Sequence, residues 1–315
     1  MKIGVDLGGT KTAAGLVDTG GNIVERVSLA TDKSGGEDSV INRIIGVCNR
    51  LIENTEAKVE SIGVGVPGHA NDKTGEVIFT PNLPLLRSKM VDKINSKINI
   101  PVFIGNDANC AALGESVAGS LAGAQSGVFV IIGTGIGGGI IIDGKLYTGL
   151  SGAAGEFGHV TIAHGGRKCG CGMNGCWEAY SNSAGLAQFV GDAAKSAPDS
   201  KLWELCKGKI KKTDGRAIFS AFRDGDKAAV LGVERYIDYL AVGISNIINF
   251  FEPEIISLGG GISNAFDCFE ELLNNAITAR KFARFSVTEN IPQTKIVRAT
   301  LGDDAGIIGA ANLGG

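Results

Sequence analysis

The chain has 315 residues, a formal net charge of -3 and a pI of about 5.7, with no block of like charge. That balance argues against the basic footprint of a nucleic-acid partner, and no apolar run is long enough to cross a bilayer. The opening MKIGVDLGGT carries no signal-peptide pattern, so a cytoplasmic protein is expected, long enough for two domains. Glycine is the outlier, since 48 residues are about twice its usual share of roughly 7%. Its clustering at predicted strand ends reads as close backbone approach to a ligand.

Lys2 to Asp6 is predicted as a short strand, Gly8-Gly9-Thr10-Lys11 as a tight turn and Thr12 to Val17 as a second strand. Asp18-Thr19-Gly20-Gly21 closes that strand and Ile23 to Leu29 forms a third, giving a hairpin meander with a glycine tip. The tip is not a Walker A loop, because it lacks the Gly-Lys-Ser/Thr ending and a strand follows it. Asp38 to Asn54 places Val40, Ile44, Val47 and Leu51 on one stripe of a helix. Ser61 to Val66 is a buried strand that ends at Pro67-Gly68. Val102 to Ile104 is another strand and runs into Asn106-Asp107, which open a helix over Ala108 to Ser116.

From Gly127 the opening pattern recurs. Val128 to Ile132 is a strand, Gly133-Thr134-Gly135-Ile136-Gly137-Gly138-Gly139 a turn, and Ile140 to Ile142 a strand closed by Asp143-Gly144. This repetition implies a duplicated fold in which each half gives one glycine hairpin to a shared cleft. A dinucleotide fingerprint at Gly133, Gly135 and Gly138 would have to open a helix, whereas a β-branched run follows. Ser181 to Asp226 reads as mostly helical, with a lysine-rich surface excursion at Lys207 to Lys212. Ala228 to Phe251 reads as a long helix, apolar all round and stopped by Pro253. Glu254 to Leu258 is a strand ending in Gly259-Gly260-Gly261, Ile296 to Ala299 a further strand, and Asp303 to Ala311 a terminal helix rich in small residues.

The segment Gly149 to Glu178 concentrates chemistry. Cys169, Cys171 and Cys176 lie within eight positions, ten residues after His159, and supply the three sulfurs and one imidazole of a closed structural zinc site. Glycines 165, 166, 170, 172 and 175 let such a loop fold back on itself. The alternative is free or disulfide-bonded cysteines, although Cys169 and Cys171 are too close to pair easily. Cys48, Cys110, Cys206 and Cys268 are scattered, as expected of reduced residues. The glycine clusters at 8–9, 133–139 and 259–261 follow predicted strands, where amides without side chains can cradle phosphate oxygens. Asp6, just before the first cluster, is either a Mg²⁺-holding carboxylate or a turn cap. Asp107 at a helix start is favoured as an anion by the helix dipole; it is either a base for an attacking hydroxyl or an ordinary cap.

These motifs together resemble the ROK family (repressors, open reading frames and sugar kinases) of the sugar kinase and actin-like superfamily. The resemblance rests on Asp6-Leu7-Gly8-Gly9-Thr10-Lys11, Asn106-Asp107-Ala108-Asn109, Gly133 to Gly139, Gly155-Glu156-Phe157-Gly158-His159 and the cysteine segment to Glu178, with Gly259 to Gly261 and the terminal helix extending it. It implies an α/β fold of two actin-like (ribonuclease H-like) ATPase domains with mixed sheets around an interdomain cleft. We expect one domain to span 1–118 plus 301–315 and the other 119–300, with the zinc loop in the second.

The resemblance further implies ATP-dependent phosphorylation of a hexose 6-hydroxyl, glucose first, with Mg²⁺ and structural Zn²⁺ as cofactors. Pro81-Asn82-Leu83 is similar to the glucokinase-type members. Asp107 resembles the general base. Gly68, Asn82, Asn106, Asp107, Glu156, His159 and Glu178 resemble the sugar binders, and His159 with Cys169, Cys171 and Cys176 the zinc ligands. Asp6, Gly8, Gly9, Thr10, Lys11, Gly133, Thr134 and Gly135 resemble the phosphate site, and Gly259, Gly260 and Gly261 the adenosine wall. Other hexoses (N-acetylmannosamine, N-acetylglucosamine, fructose, allose) and polyphosphate as donor stay open, and a homodimer or higher homo-oligomer is implied. The family's repressors carry a winged-helix segment before the first hairpin; here the hairpin begins at residue 3. His69 departs from the family pattern beside Pro67-Gly68, and if it faces the sugar it alters preference at C2.

Overall fold

The computed structural model describes residues 1–206, 208, 213–280 and 293–314. Most of the Lys207 to Lys212 excursion therefore lies outside the described residues.

The first meander forms as expected: β1 (Lys2–Leu7), β2 (Lys11–Val17) and β3 (Ile23–Ala30) are antiparallel neighbours. Helix α1 (Glu37–Glu53) then crosses to β4 (Ser61–Val66), which lies parallel to β1. Short strands β5 (His69–Asn71), β6 (Glu76–Phe79) and β7 (Leu86–Ser88) make a separate small sheet that the sequence did not announce. After α2 (Met90–Asn95), β8 (Val102–Asn106) joins β4 in parallel and feeds α3 (Asp107–Ala118).

The second half repeats the plan. Strands β9 (Gly127–Ile132), β10 (Ile136–Ile142) and β11 (Lys145–Tyr147) form the meander, and the tight turn is confined to 133–135, so that Gly137 to Gly139 are strand residues rather than turn residues. Helices α4 (Glu178–Ser181), α5 (Ser183–Ala194), α6 (Leu202–Leu205), α7 (Gly215–Arg223) and α8 (Lys227–Phe251) lead to β12 (Ile255–Gly259). Helix α9 (Phe266–Thr278) precedes β13 (Lys295–Arg298), and α10 (Asp304–Ala311) closes the chain. The two main sheets run β3-β2-β1-β4-β8 and β11-β10-β9-β12-β13, the same order with the same strand senses. The duplication read from the glycine hairpins is thus a duplication of topology.

One core lies between the first sheet and α1, where Val40, Ile44, Val47 and Leu51 are fully buried; such side chains contribute roughly 1.5–3 kcal/mol each. The other lies between the second sheet and α5, α7, α8 and α9. Helix α8 is amphipathic rather than apolar all round: Gly232, Val233, Tyr236, Ile237 and Leu240 are buried while Leu231, Glu234, Arg235 and Asp238 are exposed. It ends at Glu252 in the left-handed region (φ 42°), one residue before Pro253.

Helices α3 and α10 pack on each other between the sheets, and this accounts for several of the glycines. A Cβ on Gly4 or Gly63 would lie 1.9 or 1.7 Å from a carbonyl of α10, and one on Gly309 would lie 1.6 Å from the Cys110 carbonyl of α3. These glycines, which lie outside the strand-end clusters, admit neighbouring backbone. The small residues of α10 do what they suggested and bring two helices into close contact.

Candidate active site

The two meanders converge on one cavity of about 630 Å³. It takes in Asp6, Gly68, Asn82, Asn106, Asp107, Gly133, Thr134, Gly135, Glu156, His159 and Glu178. It does not reach Gly8, Gly9, Thr10, Lys11 or Gly259 to Gly261. Two of them lie next to elements of its wall: a Cβ on Gly9 would meet that of Asn82 at 3.6 Å, and Gly260 (φ 83°) lies against the Ile132 carbonyl just before the 133–135 turn. Sequence reasoning missed Asp303, which faces the same cavity with Gly302 and Gly306. Its signal was an acid at the head of a helix, the same pattern that singled out Asp107. His69 is absent from the lining; its Nε2 lies 2.9 Å from the Ser151 carbonyl.

Asn106 caps α3, its Oδ1 accepting from the Asn109 amide at 3.0 Å. Its Nδ2 donates to the Gly68 carbonyl (2.9 Å) and to Asp107 Oδ1 (3.1 Å), so its amide orients the neighbouring carboxylate. Asp107 Oδ1 also accepts from the Ala108 amide at 2.9 Å. The helix start was expected to favour the anion, yet burial, with Asp6 and Glu156 close by, pushes Asp107 up to about 6. Burial also raises Asp6, against the pull of Lys11 and with a push from Asp303. The cavity is therefore strongly acidic.

The 133–135 turn is tied from behind. Ser183 donates its amide and hydroxyl to the Gly133 carbonyl, and Asn182 Nδ2 donates to the Thr134 carbonyl. Glu178 Oε2 accepts from the Ile136 amide at 2.9 Å, while its Oε1 accepts from Cys169 Sγ at 3.4 Å. One carboxylate thus joins the glycine turn to the cysteine loop.

That loop folds back as the glycines predict. Gly165, Gly172 and Gly175 have φ of 67°, 96° and 82°, and a Cβ on Gly175 would sit 1.8 Å from the Ala163 carbonyl. His159 Nδ1 and the sulfurs of Cys169, Cys171 and Cys176 all lie within 4.8 Å of one another. Cys171 and Cys176 are unbridged, with sulfurs 3.6 Å apart, and His159 Nδ1 is 3.8 Å from Cys169 Sγ. A tetrahedron with zinc–ligand bonds of about 2.0–2.3 Å has edges of about 3.6–3.8 Å, so the donor set fits Zn²⁺. His164 stays outside the cluster. The other face of His159 turns to the cavity, with Nε2 4.0 Å from Glu156 Oε2. Trp177, fully buried between Cys176 and Glu178, donates Nε1–H to the Tyr239 carbonyl and seats the loop on α8.

The model of the ROK family matches residues 2–314. The chain is 35% identical over 312 residues to a glucokinase of Thermotoga maritima, covering 99% of this chain and 96% of that one. It is 32% identical over 331 residues to an N-acetyl-D-glucosamine kinase of Aliivibrio fischeri, with 99% of each covered. A crystal structure of a ROK family glucokinase from Streptomyces griseus with glucose and AMPPNP superposes with a TM-score of 0.77 at 34% identity, covering 99% of this chain and 98% of that one.

Proposed function

The chain belongs to the ROK family, and on that premise we propose that it transfers the γ-phosphoryl group of ATP to the 6-hydroxyl of a hexose, with glucose preferred. It is an ATP-dependent sugar kinase with a two-domain actin-like α/β fold. The observation that carries the reading is that one cavity holds Asp107 together with Glu156, His159 and Glu178. We assign residues 1–118 and 301–315 to one domain and 119–300 to the other, with the cavity between them.

The sugar lies against Glu156, Glu178 and His159 Nε2, whose lone pairs and N–H suit ring hydroxyls. His159 Nδ1 with the sulfurs of Cys169, Cys171 and Cys176 would hold Zn²⁺, which would fix the ring and leave Nε2 to the sugar. Gly68 and Asn82 complete that wall, and Asn106 acts through Asp107. Phosphates sit on the 133–135 turn and the Gly8-Gly9-Thr10-Lys11 turn, with adenosine along Gly259 to Gly261. Asp6 and Asp303 would hold Mg²⁺, which would offset the charge that these acids otherwise set against phosphate. Asp107 accepts the hydroxyl proton as the O6–P bond forms and the bond from Pγ to the bridging oxygen breaks, releasing ADP. A carboxylate at about 6 is mostly ionised at neutral pH and more basic than a free aspartate, as a general base should be.

A second reading keeps the chemistry and changes the sugar. The relative named for N-acetyl-D-glucosamine matches over its full length, and the binders assigned here touch hydroxyls that both sugars carry. A coupled assay of ADP or sugar phosphate formation, over glucose, N-acetylglucosamine, N-acetylmannosamine, fructose and allose with ATP or polyphosphate, separates these. The highest kcat/KM with glucose and ATP supports the proposal. A preference for an acetamido sugar overturns the glucose assignment, and no turnover of any hexose overturns the reaction.

A further inference from the structure

We propose that Glu115 is the pivot about which the cleft closes, a positioning residue that sets the sugar side against the phosphate side in the reacting state. The inference rests on the two-domain kinase reading above. The chain passes between the two halves twice, outwards after α3 and back after β13. The two passages run side by side, and one side chain ties them together.

Glu115 lies in the last turns of α3 and is 0% exposed. Its Oε2 accepts from the Ser120 amide at 2.7 Å and the Ser120 hydroxyl at 2.8 Å, both on the outward passage. From the returning passage its Oε1 accepts from the Thr300 amide at 3.1 Å and the Leu301 amide at 2.9 Å, while the Thr300 hydroxyl lies 3.3 Å from Oε2. A buried carboxylate is costly unless its lone pairs are filled, and here the donors come from both crossings. Hydrogen bonds to carboxylate oxygens tolerate a broad range of angles, so the knot holds the crossings together while allowing rotation.

Three neighbouring features suit a hinge. Each crossing has a glycine beside the knot, Gly119 on one and Gly302 (φ 56°) on the other, and a Cβ on Gly119 would lie 2.1 Å from Glu115 Oε2. A second cavity of about 460 Å³, lined in part by Ala118, Leu301 and Ile308, gives the crossings space to move into. Both tied segments lead to the active site. Helix α3 carries Asp107 at its other end, about 12 Å away at 1.5 Å per residue. Leu301 is two residues from Asp303 in the cavity wall. A small rotation at the knot is therefore a change in the register of the reacting groups.

The test is Glu115→Gln, which keeps the volume and one acceptor but turns an NH₂ toward donors that need an acceptor. Compaction on adding glucose and AMPPNP is measured by small-angle scattering, alongside kcat and the glucose affinity by calorimetry. Wild type should compact; the variant should compact less, with kcat down about tenfold to a hundredfold and the glucose Kd within about threefold of wild type. Unchanged compaction and kcat, with only a lower melting temperature, would make Glu115 a structural residue and overturn the proposal. If wild type itself does not compact, the closing-cleft reading fails and the pivot with it. Should Glu115→Gln not fold, the paired Ser120→Ala and Thr300→Val exchange removes the hydroxyl donors to Glu115, together with the 2.6 Å contact of Ser120 to the Ser257 hydroxyl. It should lower kcat about twofold to fivefold at constant Kd, and no change in kcat or compaction would overturn the proposal.

Discussion

Replacing Asp107 by Asn should remove most turnover and make the protein more stable. Burial beside Asp6 and Glu156 holds the carboxyl up at about 6, against an ordinary value of 3.8. The folded state therefore keeps a proton that the unfolded chain has already released. Below pH 3.8 both states are protonated and the group contributes no pH-dependent difference. As pH rises toward 6 the unfolded state gains the advantage of ionising in water, and above 6 the penalty on the fold is fully developed. The gap corresponds to about 3 kcal/mol at 1.36 kcal/mol per pH unit, reduced to about 1–3 kcal/mol once partial solvation of the site is allowed for.

Asparagine keeps an oxygen for the Ala108 amide and carries no charge, so it escapes this penalty. Thermal melts of the two proteins across pH 4 to 8 should differ least at pH 4 and separate progressively, by about 2–6 °C at pH 8, the variant melting higher. Titration of the zinc cluster cancels in the difference, because both proteins share it. The wild-type kcat/KM should fall off on the acid side with a midpoint near 6 in the same buffers. A variant no more stable than wild type at pH 8, or a stability difference that is flat across pH, would refute the argument that burial sets the Asp107 proton affinity. A variant with near-wild-type turnover would refute its role as base.

Purified protein should carry about one zinc per chain by elemental analysis, and stripping it with a chelator should lower the melting temperature and the glucose affinity together, because His159 and Glu178 belong to both networks. Gly243→Ala would place a Cβ 1.9 Å from the Trp177 ring; the overpacking should cost about 1–3 kcal/mol in denaturant melts and weaken glucose binding through Glu178. Two glycines on helices should respond in opposite ways. Gly46→Ala on α1 meets nothing within 4 Å and should stabilise by about 0.5–1 kcal/mol, whereas Gly309→Ala drives a methyl into the Cys110 carbonyl and should leave little soluble protein.

What the sequence disclosed was what short-range chemistry can carry. The two hairpins were legible because apolar strands and glycine turns are local patterns, and the zinc loop because its sulfurs lie close along the chain. Asn106 and Asp107 stood out at a strand-to-helix junction, although the cap is Asn106, and Asp107, offered as the cap, is the first helical residue. The small β5-β6-β7 sheet did not, since strands of three or four residues are too short for an alternation to stand out from the surrounding chain. The packing roles of Gly4 and Gly63 were not legible because their neighbours, the backbone carbonyls of α10, lie far away in sequence.

The sign of the Asp107 shift follows the same division. A helix start is a local fact and argues for the anion, whereas burial and the charges of Asp6 and Glu156 arise only once both halves have folded around the cleft. Desolvation outweighs the local donors because the site excludes water on several sides. On the proposed reaction, the same enclosure would keep water from competing with a hexose for the phosphoryl group. The cost in stability and the preparation for catalysis thus have one cause, and a surface aspartate at an equally well-formed helix cap would show neither.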